Sequence, residues 1–258
     1  MTFNTKVALI SGGTRGIGLN VAQTLVKDGV FCYVTGRNEE DGQRAQALLG
    51  GTDHARYVAT DVTDERAVDA LFDQIETRHG RLDLAVNNAG VTTRRAAVRE
   101  LDLGEWKRVL DINLLGPLLL MSREIRLMSR REHGAIVNVS SCGGVLGQPR
   151  QSAYSTSKAA LNMLTQVAAI ESANPPDGQH VVRVNAVCPG PTLGGMNTEE
   201  RLRANPESTR EKIQSTALKR FANPEEITSA ILWLLSDTAS YVTGTLLAVD
   251  GGFAAGKF

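Results

Sequence analysis

No charge of one sign dominates this chain. Across its 258 residues, 28 lysines and arginines balance 28 aspartates and glutamates. A nucleic-acid-binding protein would carry a basic excess or a basic stripe, and neither is visible. Paired cysteines are also missing. Cys32, Cys142 and Cys188 are isolated thiols, which excludes a disulfide framework and a C-x-x-C metal site as expectations. His54, His79, His133 and His180 are equally scattered, so no metal centre is expected. Long hydrophobic runs are absent too. The apolar run Val7-Ala8-Leu9-Ile10 is too short for the core of a signal peptide. The Leu-rich stretch 114–121 contains Gly116 and Pro117 and falls well below membrane-spanning length. No membrane partner is therefore expected, and a cytoplasmic location is. Nor does any linker, repeat or low-complexity tract divide the chain, which reads as one domain over 1–258.

What is present is an alternation of short apolar runs with amphipathic stretches, in a composition 42% hydrophobic and 22% charged. Strands are expected at 6–10, 30–35, 55–60, 82–86, 135–139, 181–187 and 245–249. Helices are expected at 17–27, 38–49, 64–78, 105–128 and 153–173, and from the capping sequence Asn223-Pro224-Glu225-Glu226 to about Ser236. Gly29 is a natural stop for the first helix. Strict alternation with continuously apolar strands predicts a doubly wound α/β fold, a parallel sheet covered by helices on both faces.

Between the first strand and the first helix lies Ser11-Gly12-Gly13-Thr14-Arg15-Gly16-Ile17-Gly18. Glycines there let the backbone turn sharply and approach a pyrophosphate, which the helix N-terminus favours. The spacing is G-x-x-x-G-x-G, not the commoner G-x-G-x-x-G, and a glycine-rich turn without a ligand is the plainer alternative. The end of the second strand should carry an acid if the ribose 2′-hydroxyl of NAD is to be bound. It reads Thr35-Gly36-Arg37 instead. Arg37, with Arg15 from the glycine loop, suits a 2′-phosphate, so NADPH is favoured while NAD stays open. Glu39 and Glu40 follow closely and argue against strictness.

Tyr154 and Lys158, spaced i, i+4, share one face of a predicted helix. A free tyrosine has a pKa near about 10 and is a poor acid–base group at neutrality. A nearby ammonium lowers that value, which makes the pair a tunable acid–base device. Y-x-x-x-K alone is weak, but it stands in an ordered series: Gly12, Gly16 and Gly18; Asp61-Val62; Asn87-Asn88-Ala89-Gly90; Asn113; Ser141; Tyr154-Ser155-Thr156-Ser157-Lys158; Pro189-Gly190; Asp250-Gly251-Gly252. In that series, from about Val7 to Gly252, the chain resembles the short-chain dehydrogenase/reductase family, and within it the 3-oxoacyl-carrier-protein reductases.

The resemblance implies a Rossmann fold with a seven-stranded parallel sheet. It implies an enzyme that interconverts a ketone and a secondary alcohol with NADP(H), most simply a carbonyl reductase. Tyr154 would be the proton donor, Ser141 the second partner of the substrate oxygen, and Lys158 the ligand of the nicotinamide ribose. Asn113 would hold a relay water. Cofactor contacts would come from Gly12, Thr14, Arg15, Gly16, Ile17, Gly18, Arg37, Asp61, Val62, Asn87, Ala89, Gly90, Tyr154, Lys158, Pro189, Gly190 and Thr192. Ser140 is read as a core hydroxyl and Cys142 as a small core residue, with no histidine beside it to activate a thiolate. Pro117 has no N–H for the Asn113 carbonyl four residues earlier, which predicts a free acceptor for that water.

The chain departs from the family after Pro189-Gly190. Pro191-Thr192-Leu193-Gly194 puts glycine where a threonine usually meets the nicotinamide carboxamide. The polar stretch 191–219 lies where the family carries its substrate lid, and substrate preference is expected there and in 91–99. Arg94 and Arg95 in the latter could meet an anionic or carrier-linked substrate, although a solvated loop is the plainer reading. Two other functions stay open: an NAD-dependent alcohol or diol dehydrogenase working oxidatively, and a non-catalytic nucleotide-binding scaffold. The scaffold would be marked by loss of Ser141, Tyr154 or Lys158, and none is lost. The resemblance also implies a homotetramer, with Leu232-Trp233-Leu234-Leu235 and the tail 253–258 compatible with its interfaces.

Overall fold

The computed structural model describes residues 3, 5–131, 134–175 and 180–256. His133 and the last two residues of the tail, Lys257 and Phe258, lie outside them. Helices and strands alternate: β1 (Val7–Ser11), α1 (Gly16–Lys27), β2 (Phe31–Gly36), α2 (Glu39–Leu48), β3 (Ala55–Ala59), α3 (Glu65–His79), β4 (Leu84–Asn87), α4 (Leu103–Leu110), α5 (Gly116–Met128), β5 (Gly134–Val139), α6 (Ser152–Ala173), β6 (Val182–Pro189), α7 (Glu199–Ala204), α8 (Pro206–Gln214), α9 (Pro224–Leu235) and β7 (Leu246–Val249). The strands form one parallel seven-stranded sheet in the order β3-β2-β1-β4-β5-β6-β7. The order reverses between β1 and β4, and crevices in such sheets open at the carboxyl ends of the strands flanking that reversal.

Both faces of the sheet are covered. Ile10, Val34, Val86 and Val137 point to one side and pack with Val21 and Leu25 of α1 and Ile231 and Leu234 of α9. Leu9, Tyr33, Ala85 and Ile136 point to the other and meet Leu71 and Ile75 of α3, Leu120 of α5 and Ala168 of α6. Adjacent strand residues thus feed opposite layers, and both layers are apolar, which is why the strands read as unbroken hydrophobic runs. Among the described residues no helix is long and apolar enough to cross a membrane. No group of three or more His, Cys, Asp and Glu among them is placed to hold a metal ion.

The helix expected over 105–128 is broken in register. α4 passes into α5 through a π-helical turn over Asp111–Leu115, in which Gly116 N–H donates to Asp111 O five residues back. Pro117, at the start of α5, has no N–H to continue the regular ladder. Adding one residue to the turn accommodates the proline without a sharp kink, and π-turns of this kind recur at functional sites.

Behind this turn a polar cluster is sealed in the core. Asn87 Nδ2 donates to Glu124 Oε2 and to Asn138 Oδ1, both at 3.0 Å, and Asn138 Nδ2 donates to Thr165 Oγ1 at 2.8 Å. Glu124 Oε1 and Asn87 Oδ1 are buried without a hydrogen-bond partner. Burial lifts the Glu124 carboxyl to about 8, although the Asn87 amide pulls the other way. The folded protein therefore holds this proton more tightly than the unfolded chain, whose carboxyl titrates near 4.5. Stability must fall as pH rises between those two values. Glu124→Gln should abolish this loss, so that the thermal midpoints of the two proteins diverge by the equivalent of a few kcal/mol between pH 5 and 8. Parallel pH profiles would show that Glu124 titrates normally.

Candidate active site

Loops after β1 and β4, together with the ends of β2, β5 and β6, line a cleft of about 460 Å³ at the point where the strand order reverses. Of the residues singled out in the sequence, Gly12, Thr14, Arg15, Gly16, Ile17, Arg37, Asp61, Val62, Ala89, Gly90, Ser141, Tyr154, Lys158, Pro189, Gly190 and Thr192 line it. Gly18, Asn87 and Asn113 do not; they stand behind its wall.

The glycine loop is built for close approach. Gly12 and Gly16 have φ of +61° and +56°, in the left-handed region that glycine favours. A Cβ on Gly12 would lie 3.0 Å from Ala89 Cα, and one on Gly16 would lie 3.1 Å from Gly195 Cα. At the start of α1, the N-cap Arg15 contributes no side-chain hydrogen bond, and no acid occupies the first turn. By contrast Asn38, Asp64 and Asp102 cap α2, α3 and α4 with their side chains. The first amides of α1 are thus left for an external acceptor, and the loop fits the pyrophosphate of a dinucleotide.

At the far rim Arg37 Nη1 lies 4.0 Å from Asp61 Oδ2, both side chains being well exposed. Burial alone would raise the Asp61 carboxyl. Hydrogen bonds from Thr63 N–H and Oγ1 and the Arg37 charge outweigh it, so Asp61 sits below the usual range. Asp41 also faces the cleft, but its carboxylate is taken by Arg44.

On the opposite wall Tyr154 is half-buried in the first turn of α6, and Ser141 and Lys158 are buried. Lys158 Nζ donates to Val139 O at 2.8 Å. Burial pulls its ammonium down to about 8. Tyr154 differs from the sequence expectation. Burial raises its phenol above the ordinary value, and the lowering influence is the Ser141 hydroxyl rather than Lys158. The ammonium is drawn back onto the end of β5, so the phenol is a neutral donor in this state of the site. Cys142 is buried and its thiol is pushed up to about 11, a packing residue as expected. Ser140 Oγ donates to Lys158 O at 3.2 Å, which anchors α6 although Ser140 also borders the cleft.

Asn113 acts as a brace. Its Oδ1 accepts from Val91 N–H at 2.8 Å, and its Nδ2 donates to Val91 O at 2.9 Å and Ser157 Oγ at 3.1 Å. Ser157 Oγ in turn donates to Tyr154 O at 2.8 Å. The side-chain amide is fully engaged, so any water here must be held by the main chain. Thr192 Oγ1 donates to Gly190 O at 3.0 Å. Gly194 and Gly195 have φ of +75° and +51°, which a threonine would strain, and this accounts for glycine at the unusual position.

Asn88, second in the Asn87-Asn88-Ala89-Gly90 motif, lines the cleft and ties it together. Its Nδ2 donates to Gly12 O at 2.9 Å and Ser11 O at 3.2 Å. Gly195, Met196 and Asn197 of the segment 191–219 also border the cleft. Their approach to the glycine loop is a long-range contact that local sequence pattern does not carry.

Residues 12–254 match the protein family described as Enoyl-(Acyl carrier protein) reductase. The chain is 39% identical to cis-4-hydroxycyclohexanecarboxylate dehydrogenase of Sinomonas cyclohexanicum, over 98% of each chain. It is 38% identical to cyclopentanol dehydrogenase of Comamonas sp. (strain NCIMB 9872), again over 98% of each. The crystal structure of levodione reductase superposes with a TM-score of 0.90 at 30% identity, covering 99% of this chain and 100% of that one.

Gly18 serves packing: a Cβ there would lie 2.5 Å from Gly12 O and 2.6 Å from Asn88 Nδ2. Gly18→Ala should lower stability by about 1–3 kcal/mol, read as a lower urea midpoint at unchanged slope. An unchanged midpoint would mean that the loop yields more readily than this geometry implies. Fold, glycine cradle, Ser-Tyr-Lys wall and full-length similarity together place the chain in the short-chain dehydrogenase/reductase family of nicotinamide-dinucleotide-dependent oxidoreductases.

Proposed function

We propose that this chain is an NADPH-dependent oxidoreductase interconverting a ring ketone and its secondary alcohol, with Tyr154 carrying the proton. The observation behind this reading is the placement of Ser141, Tyr154 and Lys158 on one wall of the cleft whose other end is the glycine cradle. When bound in this cleft, a nicotinamide would supply the hydride in reduction and accept it in oxidation. Ser141 Oγ and Tyr154 Oη bind the substrate oxygen, and the neutral phenol donates its proton as charge develops there. Lys158 would hold the nicotinamide ribose, and its ammonium, once turned from Val139 O toward the cleft, would stabilise the tyrosinate left behind. The Asn113 main-chain carbonyl, with no N–H of Pro117 to meet, holds the water that returns the proton.

The preference for NADPH rests on Arg37 and Arg15 at the adenosine end and on Gly36 in place of an acid. Cofactor contacts from Gly12, Thr14, Ile17, Asp61, Val62, Ala89, Gly90, Pro189, Gly190 and Thr192 follow from the same cleft. Gly18 and Asn87 support these contacts from behind. Residues 191–219 act as the substrate lid. A ring substrate is favoured because two of the similar proteins named above are, by name, dehydrogenases of ring alcohols. That they are dehydrogenases equally favours a second reading, NAD-dependent oxidation of a ring alcohol.

A homotetramer is the proposed assembly. Met163, Val167 and Ile170 form an exposed apolar stripe on α6, with Leu118 exposed on α5, and such a stripe suits a helix face shared between subunits. The three thiols are unpaired and buried, which suits a reducing compartment such as the cytoplasm.

The direct test is NADPH and NADH oxidation across a carbonyl panel of cyclic diketones, cycloalkanones, 3-oxoacyl thioesters and steroid ketones. Wild-type protein should turn over a ring ketone with NADPH. Tyr154→Phe should lose roughly 100-fold or more of kcat while still binding the dinucleotide. Preference for NADH would overturn the role of Arg37 and favour the oxidative reading. NADPH binding without turnover would favour the scaffold. A pH profile gives a second check. Because Lys158 loses its proton near 8, kcat/KM for reduction should decline as pH rises through about 8. A profile flat to about pH 10 would remove Lys158 from the proton chemistry.

A further inference from the structure

Beyond the cleft, a second cavity of about 260 Å³ lies within the segment 191–219, between α7 and α8. It shares Met196 and Asn197 with the cleft, so the two are neighbours through a wall of two side chains. Arg201 and Lys212 line it. Lys212 Nζ donates to Asn197 Oδ1 at 2.7 Å, and Asn197 Nδ2 donates to Thr192 O at 2.8 Å, so this lysine is fixed to the rim of the cleft. Arg201 Nη1 is engaged by Met196 O at 3.4 Å, a neutral carbonyl.

A third cation comes from a different part of the chain. Arg95, in the loop after β4, reaches Glu211 of α8 at 3.3 Å. That loop is pinned beside the catalytic helix: Ala96 N–H donates to Arg150 O at 3.1 Å, and Ala96 bridges Gln151, the residue before α6. Arg95 thus reaches α8 from the loop beside the start of α6, without lining either cavity, while Lys212 stands on the lid side. Burial, then the charges of Arg95 and Arg201, pull the Lys212 ammonium below its ordinary value.

Glu211 answers one of these three positive charges. Among the described residues neither Arg201 nor Lys212 has a carboxylate at salt-bridge distance. Like charges gathered around a half-buried ammonium raise the free energy of the empty state, and an anion placed among them recovers it. The glycine loop is not among the residues lining this cavity, although Gly16 packs against Gly195, the residue before the shared Met196.

We propose that Lys212 and Arg201, assisted by Arg95, form a subsite for an anionic substituent on the substrate, a carboxylate carried on the far side of the ring from the reacting carbon. This rests on the ring-ketone reading above and specifies the substrate class as a ring oxo- or hydroxy-carboxylate. Two charged donors converging on one carboxylate give charge-assisted hydrogen bonds, which confer preference over a neutral analogue of the same shape. The lid would then close more favourably over the anionic substrate, since two of the donors stand on α7 and α8.

The test compares two ketones with saturating NADPH: a cyclohexanone bearing a carboxylate opposite the carbonyl, and the same ring bearing a methyl group there. The quantity read is the ratio of their kcat/KM values in wild type, Lys212→Gln and Arg201→Gln. The wild-type ratio should favour the carboxylate, and each variant should lower it about tenfold or more, chiefly through KM. Arg201 is exposed, so its variant guards against a folding failure at the half-buried Lys212. A ratio that does not change, or rates for both ketones that fall together, would overturn the subsite. So would a weakened NADPH dissociation constant in the variants, which would assign the anion to the cofactor phosphates. If wild type reduces neither ketone, calorimetric binding of cyclohexanecarboxylate to the NADPH-loaded protein separates the two claims. Binding lost in Lys212→Gln would keep the anion subsite while the ring-ketone reading fails, and no binding to wild type would remove both.

Discussion

The glycine loop and the turn after β4 are held against each other by two side chains, and the cleft exists because of that contact. Ser11 Oγ accepts the main-chain N–H groups of Asn88 and Ala89, each at 3.1 Å, while Asn88 returns its side-chain amide to the carbonyls of Ser11 and Gly12. These four bonds satisfy polar groups at a place where the sheet cannot, since β1 and β4 send their following helices to opposite faces. The contact tolerates no extra atoms. Gly12 and Gly18 both lie where a Cβ would strike this knot. With the knot closed, the N-terminus of α1 is aimed into the crevice with its amides unclaimed, and the affinity for a dinucleotide phosphate follows from backbone geometry.

The other wall depends on the same economy of space. Lys158 is buried with its ammonium on a strand carbonyl, and Gly144 lets the loop after β5 rest directly on α6: a Cβ there would lie 2.7 Å from the Lys158 carbonyl carbon. Gly90 likewise leaves room, since its Cβ would stand 3.3 Å from Asn113 Oδ1 and 3.5 Å from Lys158 Nζ. The polar side chains are thus positioned by neighbours lacking side chains and by bonds to main-chain carbonyls, not by ion pairs. The Tyr154 phenol and the Lys158 ammonium, held this way, keep their proton affinities open to whatever enters the cleft, because burial and not a fixed counter-charge sets them. That is the physical reason Tyr154 stands higher here than the lysine four residues away would suggest.

The alternation of strands and helices was legible in the sequence, because both sheet faces are buried and the helices packed on them carry apolar stripes. The ordered motifs located the residues that line the cleft. What stayed hidden has a common cause in distance along the chain. Asn88 reads as part of a motif, but its bonds to Ser11 and Gly12 lie across 77 and 76 positions. The π-turn at Asp111–Leu115 follows from Pro117, yet local patterning registers only an unbroken helical stretch. Gly194 looks like a lost threonine until its left-handed backbone is seen. Arg95 reads as a solvated loop residue and instead reaches α8, 116 positions further on.

The central claim is that the cleft holds a nicotinamide and a carbonyl together for hydride transfer on the Tyr154 wall. Isotope tracing tests this most directly. NADPH deuterated at either face of the transferable carbon would be incubated separately with the protein and a ring ketone, and the alcohol analysed by mass spectrometry and NMR. A fixed cofactor in a chiral cleft predicts one deuterium on the carbinol carbon from one labelled face and none from the other. Deuterium from both faces alike, or an alcohol formed without any label from either, would contradict the account.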